Sequence, residues 1–250
     1  MLDNLKIVYH QGKQFIPNPT TVEVPGIFRG RPVISREKVN ETELLNLCPT
    51  GAITNNPIKI DLGKCTFCGE CAMRFPEKIS FTKDYKLSSN ERTNLIVKEG
   101  EDKPIEVNPD TVREEIHRVF GRSLKLRSIS AGGDNSCEWE LGAANNVQFD
   151  ISRYGIDFVA SPRHADGIVI TGPITKNMTE AIQICYDAMP EPKIIVLVGT
   201  DAISGGIFAD SPAIDRSFLE KHKVDLYIAG NPAHPLTIIN GFLNLTRMEK

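Results

Sequence analysis

The chain has 250 residues, with 29 lysines and arginines against 32 aspartates and glutamates and a formal net charge of −3. So even a balance offers no basic stripe to neutralise phosphates, which argues against a nucleic-acid partner. The longest apolar run, Ile194–Val198, is too short to span a bilayer. The start Met1-Leu2-Asp3-Asn4 lacks the basic and apolar stretches of a secretory leader. A cytoplasmic chain that meets a membrane only through partners is expected.

Residues 1–34 alternate short apolar pieces, such as Leu5–Tyr9 and Thr21–Val24, with turns around Pro17 and Pro19. The prolines suggest an N-terminal arm or edge hairpin rather than a core strand. From residue 35 to 97 the chain reads as a small α+β domain. A short helix over 40–47 leads into Cys48-Pro49, two short strands bracket Asn55-Asn56-Pro57, and Lys78–Phe81 repeats a strand.

The chemistry of this segment lies in Cys65-Thr66-Phe67-Cys68-Gly69-Glu70-Cys71. Three thiolates at i, i+3 and i+6 around one short loop suit three iron corners of a cubane, and Gly69 lets the backbone come close. In the ferredoxin run C-x2-C-x2-C-x3-C-P the last cysteine ligates the other cluster of a two-cluster domain. Cys48-Pro49 is such a last cysteine, but its earlier positions hold Lys38, Glu41 and Leu44. The second run holds Phe75 where its own last cysteine belongs. The losses are complementary: one site of Cys48, Cys65, Cys68 and Cys71 remains for one 4Fe–4S cluster, and the other is dismantled. A structural zinc on the same thiolates and a disulfide pair are the weaker alternatives, since the spacing is that of iron–sulfur proteins and nothing points to an oxidising compartment. The internal echo of Cys48–Ile53 in Phe75–Ile79 adds the duplicated, ferredoxin-like architecture.

Residues 98–121 form a charged break followed by a docking helix that starts at Asn108-Pro109, with Val112, Ile116, Val119 and Phe120 on one face. Beyond it, five short strands (124–129, 157–160, 167–171, 193–198 and 224–228) alternate with helices near 176–189, 213–222 and 235–248. Several strands are continuous apolar runs, as in parallel strands covered on both faces. Residues 122–250 are therefore expected to form a doubly wound α/β, flavodoxin-like domain whose functional loops follow the carboxyl ends of the strands. Those loops are 130–138, 172–175, 199–206 and 230–235.

At these loops Phe158–His164, Ala165–Thr175 and Ala202–Gly206 resemble the small subunit of energy-converting nickel–iron hydrogenases and the related 20-kDa-type subunit of respiratory complex I. The N-terminal half, with Phe28-Arg29-Gly30-Arg31-Pro32 and Leu62-Gly63-Lys64-Cys65, resembles the ferredoxin-type (complex I 23-kDa-like) subunit of the same assemblies. The resemblance implies a fusion of two subunits. It also implies a second 4Fe–4S cluster in the α/β domain, on positions that here hold Asp134, Cys137, Asp201 and Asn231. One thiol with hard oxygen donors is a poor cluster site, so that cluster is expected to be absent. The alternatives for the cavity are a mononuclear metal site or a fill of hydrogen bonds and water. Arg127 or Arg163 is a candidate counter-ion for the two aspartates. Cys185 reads as a buried helix residue, and His164 as a loop histidine holding a backbone group in preference to a partner or quinone-like ligand.

The resulting expectation is a non-catalytic electron-transfer and scaffold subunit of a membrane-associated oxidoreductase complex. Its expected partners are a large hydrogenase-like or complex I 49-kDa-like subunit and membrane subunits of the same complex. It would lie peripheral to the cytoplasmic membrane through those partners. The alternative is a structural adaptor that docks the large subunit without relaying electrons. A catalytic hydrogenase or quinone reductase in its own right is disfavoured, because no second redox or acid–base pair is visible.

Overall fold

A computed structural model describes residues 2–12 and 14–247. The elements in chain order begin with helix α1 (Leu2–Gln11), strand β1 (Pro32–Ile34), helix α2 (Glu41–Leu47), strands β2 (Ile53–Thr54) and β3 (Lys59–Asp61), helix α3 (Glu70–Arg74), and strands β4 (Ile79–Phe81), β5 (Ser88–Ser89) and β6 (Ile96–Lys98). Then come α4 (Glu114–Phe120), β7 (Leu124–Ser130), α5 (Ser136–Ala144), β8 (Ile156–Phe158), β9 (Gly167–Thr171), α6 (Lys176–Asp187), β10 (Ile194–Val198), α7 (Thr200–Ser204), α8 (Ser217–Lys221), β11 (Leu226–Ile228) and α9 (Pro235–Thr246).

The main sheet has six strands in the order β5-β11-β10-β9-β7-β8. The five strands from β7 onward pair parallel, and β5 joins antiparallel to β11 at the edge. β9 and β10 are buried along their whole length, which is why they read as unbroken apolar runs. Their side chains alternate between two cores. Val169, Val196 and Val198 share one cluster with Phe242, Ile238 and Leu141 of α9 and α5. Ile168, Ile170, Ile195 and Leu197 face the other way, into a cluster that also contains Ile34, Leu44, Ile60, Leu62 and Phe67 of the cysteine segment. The cysteine segment thus shares a continuous core with one face of the sheet. Its own strands form two small antiparallel sheets, β1-β4 and β2-β3-β6.

Several expectations shift. Among the described residues the arm over 1–34 contains no hairpin; Leu2–Gln11 is a helix with no buried residue, favoured by the Asp3–Lys6 pair at i, i+3 and by the absence of proline before Pro17. The helix expected from Asn108-Pro109 breaks in two, a 3-10 turn Pro109–Thr111 and then α4, because Asn108 caps only the first turn. Ile116 and Phe120 of α4 are buried, but Val119 is half exposed. The helix expected over 213–222 shrinks to α8, and the one near 235–248 ends at Thr246, with Met248 outside the described residues. Among the described residues no helix is long and apolar enough to cross a membrane.

Candidate functional site

Two sites meet where the cysteine segment packs on the sheet. In the first, Asn40 caps α2 by accepting the Glu43 N–H at 3.3 Å, and the helix stops at Cys48 because Pro49 follows. The loop from Asp61 turns tightly: the Asp61 side chain accepts the Gly63 N–H at 2.9 Å, and its carbonyl accepts that of Cys65. Phe67 at φ 55° and Gly69 at φ 81° both adopt left-handed backbone, which curls the three loop cysteines to one side. The Arg29 Nε donates to the Phe67 carbonyl at 2.6 Å and holds that strained turn from outside.

Cys48, Cys65, Cys68 and Cys71 line one small cavity, walled by Leu47, Pro49, Ala52, Ile53, Ile60 and Phe81. Backbone N–H groups already point at two of the sulfurs, Ala52 to Cys48 Sγ at 3.2 Å and Phe67 to Cys65 Sγ at 3.3 Å. Burial first, and the other three thiols after it, push Cys65 up to about 12; burial and Cys68 push Cys71 up to about 11. Thiols that resist ionisation in this way are set up to be ionised by a positive group placed among them. The soft donor set, the shared cavity and the N–H···S contacts fit a thiolate-held iron–sulfur group. Among the described residues, no group of three His, Cys, Asp or Glu side chains stands as a site for a metal ion. Of the positions expected to have lost a cysteine, Leu44 and Phe75 are buried in the same core, and Lys38 and Glu41 are exposed.

The second site adjoins the first. Thr200 at the start of α7 donates its hydroxyl to the Cys65 carbonyl at 2.7 Å, across 135 residues of sequence. The next residue is Asp201, 9% exposed, whose Oδ1 has no hydrogen-bond partner among the described residues. Burial first, and then the nearby Asp134 and Glu138 carboxylates, push Asp201 up to about 6. Asp134 is exposed and held low by the Ser136 hydroxyl and N–H, while Glu138 accepts from the Thr171 hydroxyl at 2.8 Å. Cys137 is buried with its thiol pushed up to about 12 by burial, despite the Ala233 N–H pointing at it. A Cβ on Gly199, at φ 92°, would fall 2.4 Å from Cys137 Sγ, so only glycine permits that approach. The carbonyls of Asp201, Ala202 and Ile203 all accept from the Arg216 guanidinium, which fixes the loop. Asn231 lines a neighbouring cavity with His234 and Thr237.

The structure thus gathers Asp134, Cys137 and Asp201, and adds Glu138, whose one signal in the sequence is its place beside Cys137. A single thiol among carboxylates does not fit a cubane. Neither expected counter-ion serves: Arg127 reaches the Cys185 thiol instead, and among the described residues no arginine is among the charges acting on Asp201. Cys185 is only half buried on α6. His164 is exposed in the 3-10 turn Pro162–His164, and among the described residues its ring holds no backbone group.

Residues 135–245 match the family described as NADH ubiquinone oxidoreductase, 20 Kd subunit. A probable membrane-bound hydrogenase subunit mbhJ of Pyrococcus furiosus is 32% identical over 137 residues, which is 54% of this chain and 82% of that one. A subunit of the NADH-quinone oxidoreductase of Heliobacterium modesticaldum is 35% identical over 157 residues, 56% of this chain and 90% of that one. Among solved structures, a chain of the membrane-bound sulfane sulfur reductase, an archaeal respiratory membrane complex, matches at 30% identity and a TM-score of 0.43, covering 49% of this chain and 67% of that one. With the sheet, its carboxyl-end loops and the two sequence relatives in agreement, the chain belongs to the family of the 20-kDa subunit of NADH–ubiquinone oxidoreductase.

Proposed function

We propose that this chain is an electron-transfer and scaffold subunit of a membrane-associated oxidoreductase complex, and that it carries one 4Fe–4S cluster on Cys48, Cys65, Cys68 and Cys71. The observation that carries this reading is the four thiols around one cavity, with backbone N–H groups aimed at two of the sulfurs. When bound, such a cluster supplies reversible one-electron transfer. The protein's part is to hold the thiolates, bury Cys65, and set hydrogen bonds to sulfur that tune the potential. The cysteine segment lies outside the family match, which begins at residue 135. On this reading a ferredoxin-like domain over 35–97 is fused, through the linker 98–121, to the flavodoxin-like family domain over 122–250, with 1–34 as an arm.

The named relatives are subunits of membrane-bound hydrogenase and of NADH-quinone oxidoreductase, which supports partners of the same kind: a large hydrogenase-like subunit and membrane subunits. Trp139 on α5 and Ile207 just after α7, 72% and 63% exposed, present apolar surface for such docking. The second site, with one thiol, is read as free of a cluster.

Iron and acid-labile sulfide should each come to ~4 per chain, against the ~8 of a two-cluster protein. Iron near ~8 would show that the carboxylate site is loaded as well. A cluster that never changes oxidation state during turnover of the purified complex would make the chain an adaptor and remove the electron-transfer role.

A further inference from the structure

A cavity of about 330 Å³ opens between the arm, the cysteine loop and the start of α9. Phe28 and Phe67 give it aromatic walls, and four hydrogen-bond donors line it: Arg29, Asn231, His234 and Thr237. Among the described residues, no aspartate or glutamate lines it. Three features give this cavity the character of an anion site with an apolar wall.

The first is the helix. α9 has 12 residues, and His234 and Thr237 at its N-terminal end line the cavity, so the positive end of the helix dipole faces it. The second is independent of the helix. Thr237 is 1% exposed and its hydroxyl has no partner among the described residues, an omission that costs stability unless something else accepts that hydrogen bond. The third is charge. Arg29 spends its Nε on the Phe67 carbonyl, and among the described residues no carboxylate lines the cavity beside its guanidinium, which leaves the terminal nitrogens for a ligand. His234 adds a neutral donor: its Nδ1 accepts the Leu236 N–H at 3.2 Å, which puts the ring proton on Nε2, and burial holds its pKa below the ordinary value.

We propose that this cavity binds a small carboxylate with a flat apolar body, the carboxylate held by Arg29 and Thr237 at the start of α9 and the body lying between Phe28 and Phe67. A bare oxyanion would use the donors but waste the aromatic walls. A neutral ring would fill the walls but leave the guanidinium unanswered. The site is independent of what the four thiols hold, although Arg29 links it to the cysteine loop through Phe67.

Calorimetric titration of the full chain with benzoate, inorganic phosphate and benzyl alcohol tests the assignment. Benzoate should bind saturably at one site, and phosphate and benzyl alcohol should each bind at least ~10-fold more weakly. Arg29→Met should weaken benzoate ~10-fold or more, and the near-isosteric Thr237→Val by ~3- to 10-fold. No saturable benzoate binding to the unmodified chain would overturn the proposal. So would benzyl alcohol or phosphate binding as tightly as benzoate, or Thr237→Val leaving benzoate affinity unchanged.

Discussion

The cysteine loop and the loop after β10 are joined by the hydrogen bond from Thr200 to the Cys65 carbonyl, yet they gather opposite donor sets. The cysteine loop brings three soft donors to Cys48 around one cavity, with backbone N–H groups aimed at two of the four sulfurs. The other brings Asp201 near one soft donor, Cys137, and near Asp134 and Glu138, with a carboxylate oxygen of Asp201 left bare. Both places resist negative charge by burial. In the first, a cationic core would relieve Cys65 and Cys71 together. In the second, the relief within reach is a proton on Asp201, since the other carboxylates are already satisfied by Ser136 and Thr171. Neighbouring loops on one scaffold can therefore carry unlike donor chemistry, the second with a glycine fitted against its one cysteine.

The largest expected effect comes from breaking the soft set. Cys48→Ser should lose most of the iron and the colour of the purified chain, whereas Cys185→Ser, on α6 and outside the cavity, should keep both. A brown Cys48→Ser protein with an unchanged paramagnetic resonance spectrum would remove Cys48 from the ligand set.

An intermediate effect is expected at the hard set. Unfolded, Asp201 titrates near the ordinary aspartate value of about 4; folded, it titrates at about 6. The native state holds that proton longer, so this residue's contribution to stability is full below about pH 4 and is lost as pH rises to about 6. Asp201→Asn should flatten that slope and raise stability by about 2 kcal/mol near pH 7. Urea unfolding across the interval measures it, and an unchanged slope would show that the Asp201 proton does not govern this site.

The smallest effect tests the link between the two. Thr200→Val keeps the shape and removes the bond to Cys65, for an expected loss of about 1 kcal/mol in thermal or urea unfolding. No loss would mean that the two regions are held by their shared apolar core alone.

How much of this was legible in the sequence depended on the range of the interaction. The strands β9 and β10 could be read because burial on both faces leaves unbroken apolar runs. Cys65, Cys68 and Cys71 could be placed together because they share one short loop, and the structure brings Cys48 to the same cavity. α5 and α7 fall in stretches that read as loops, since Asp134, Gly142, Gly199 and Gly205 look like loop residues and the two helices are fixed by contacts with α9 and Arg216. β5 carries only Ser88 and Ser89, too short for any pattern, and exists because β11 offers an open edge. The Thr200 contact and the grip of Arg29 on Phe67 join residues far apart in sequence, so no motif announces them.

The pairing of β5 with β11 also sets a schedule for maturation. A ribosome releases the cysteine segment early, but Leu87 to Ser89 find their partners only when the chain through Ala229 has emerged. Until Thr200 has emerged nothing covers the carbonyl of Cys65, and until β11 follows one wall of the shared core is missing. Nascent chains fold from the N-terminus as units become complete, and this unit is completed last by its own C-terminal end. Cys65, buried in the finished fold, is consequently most open before the sheet closes, whereas Cys68 stays exposed afterwards.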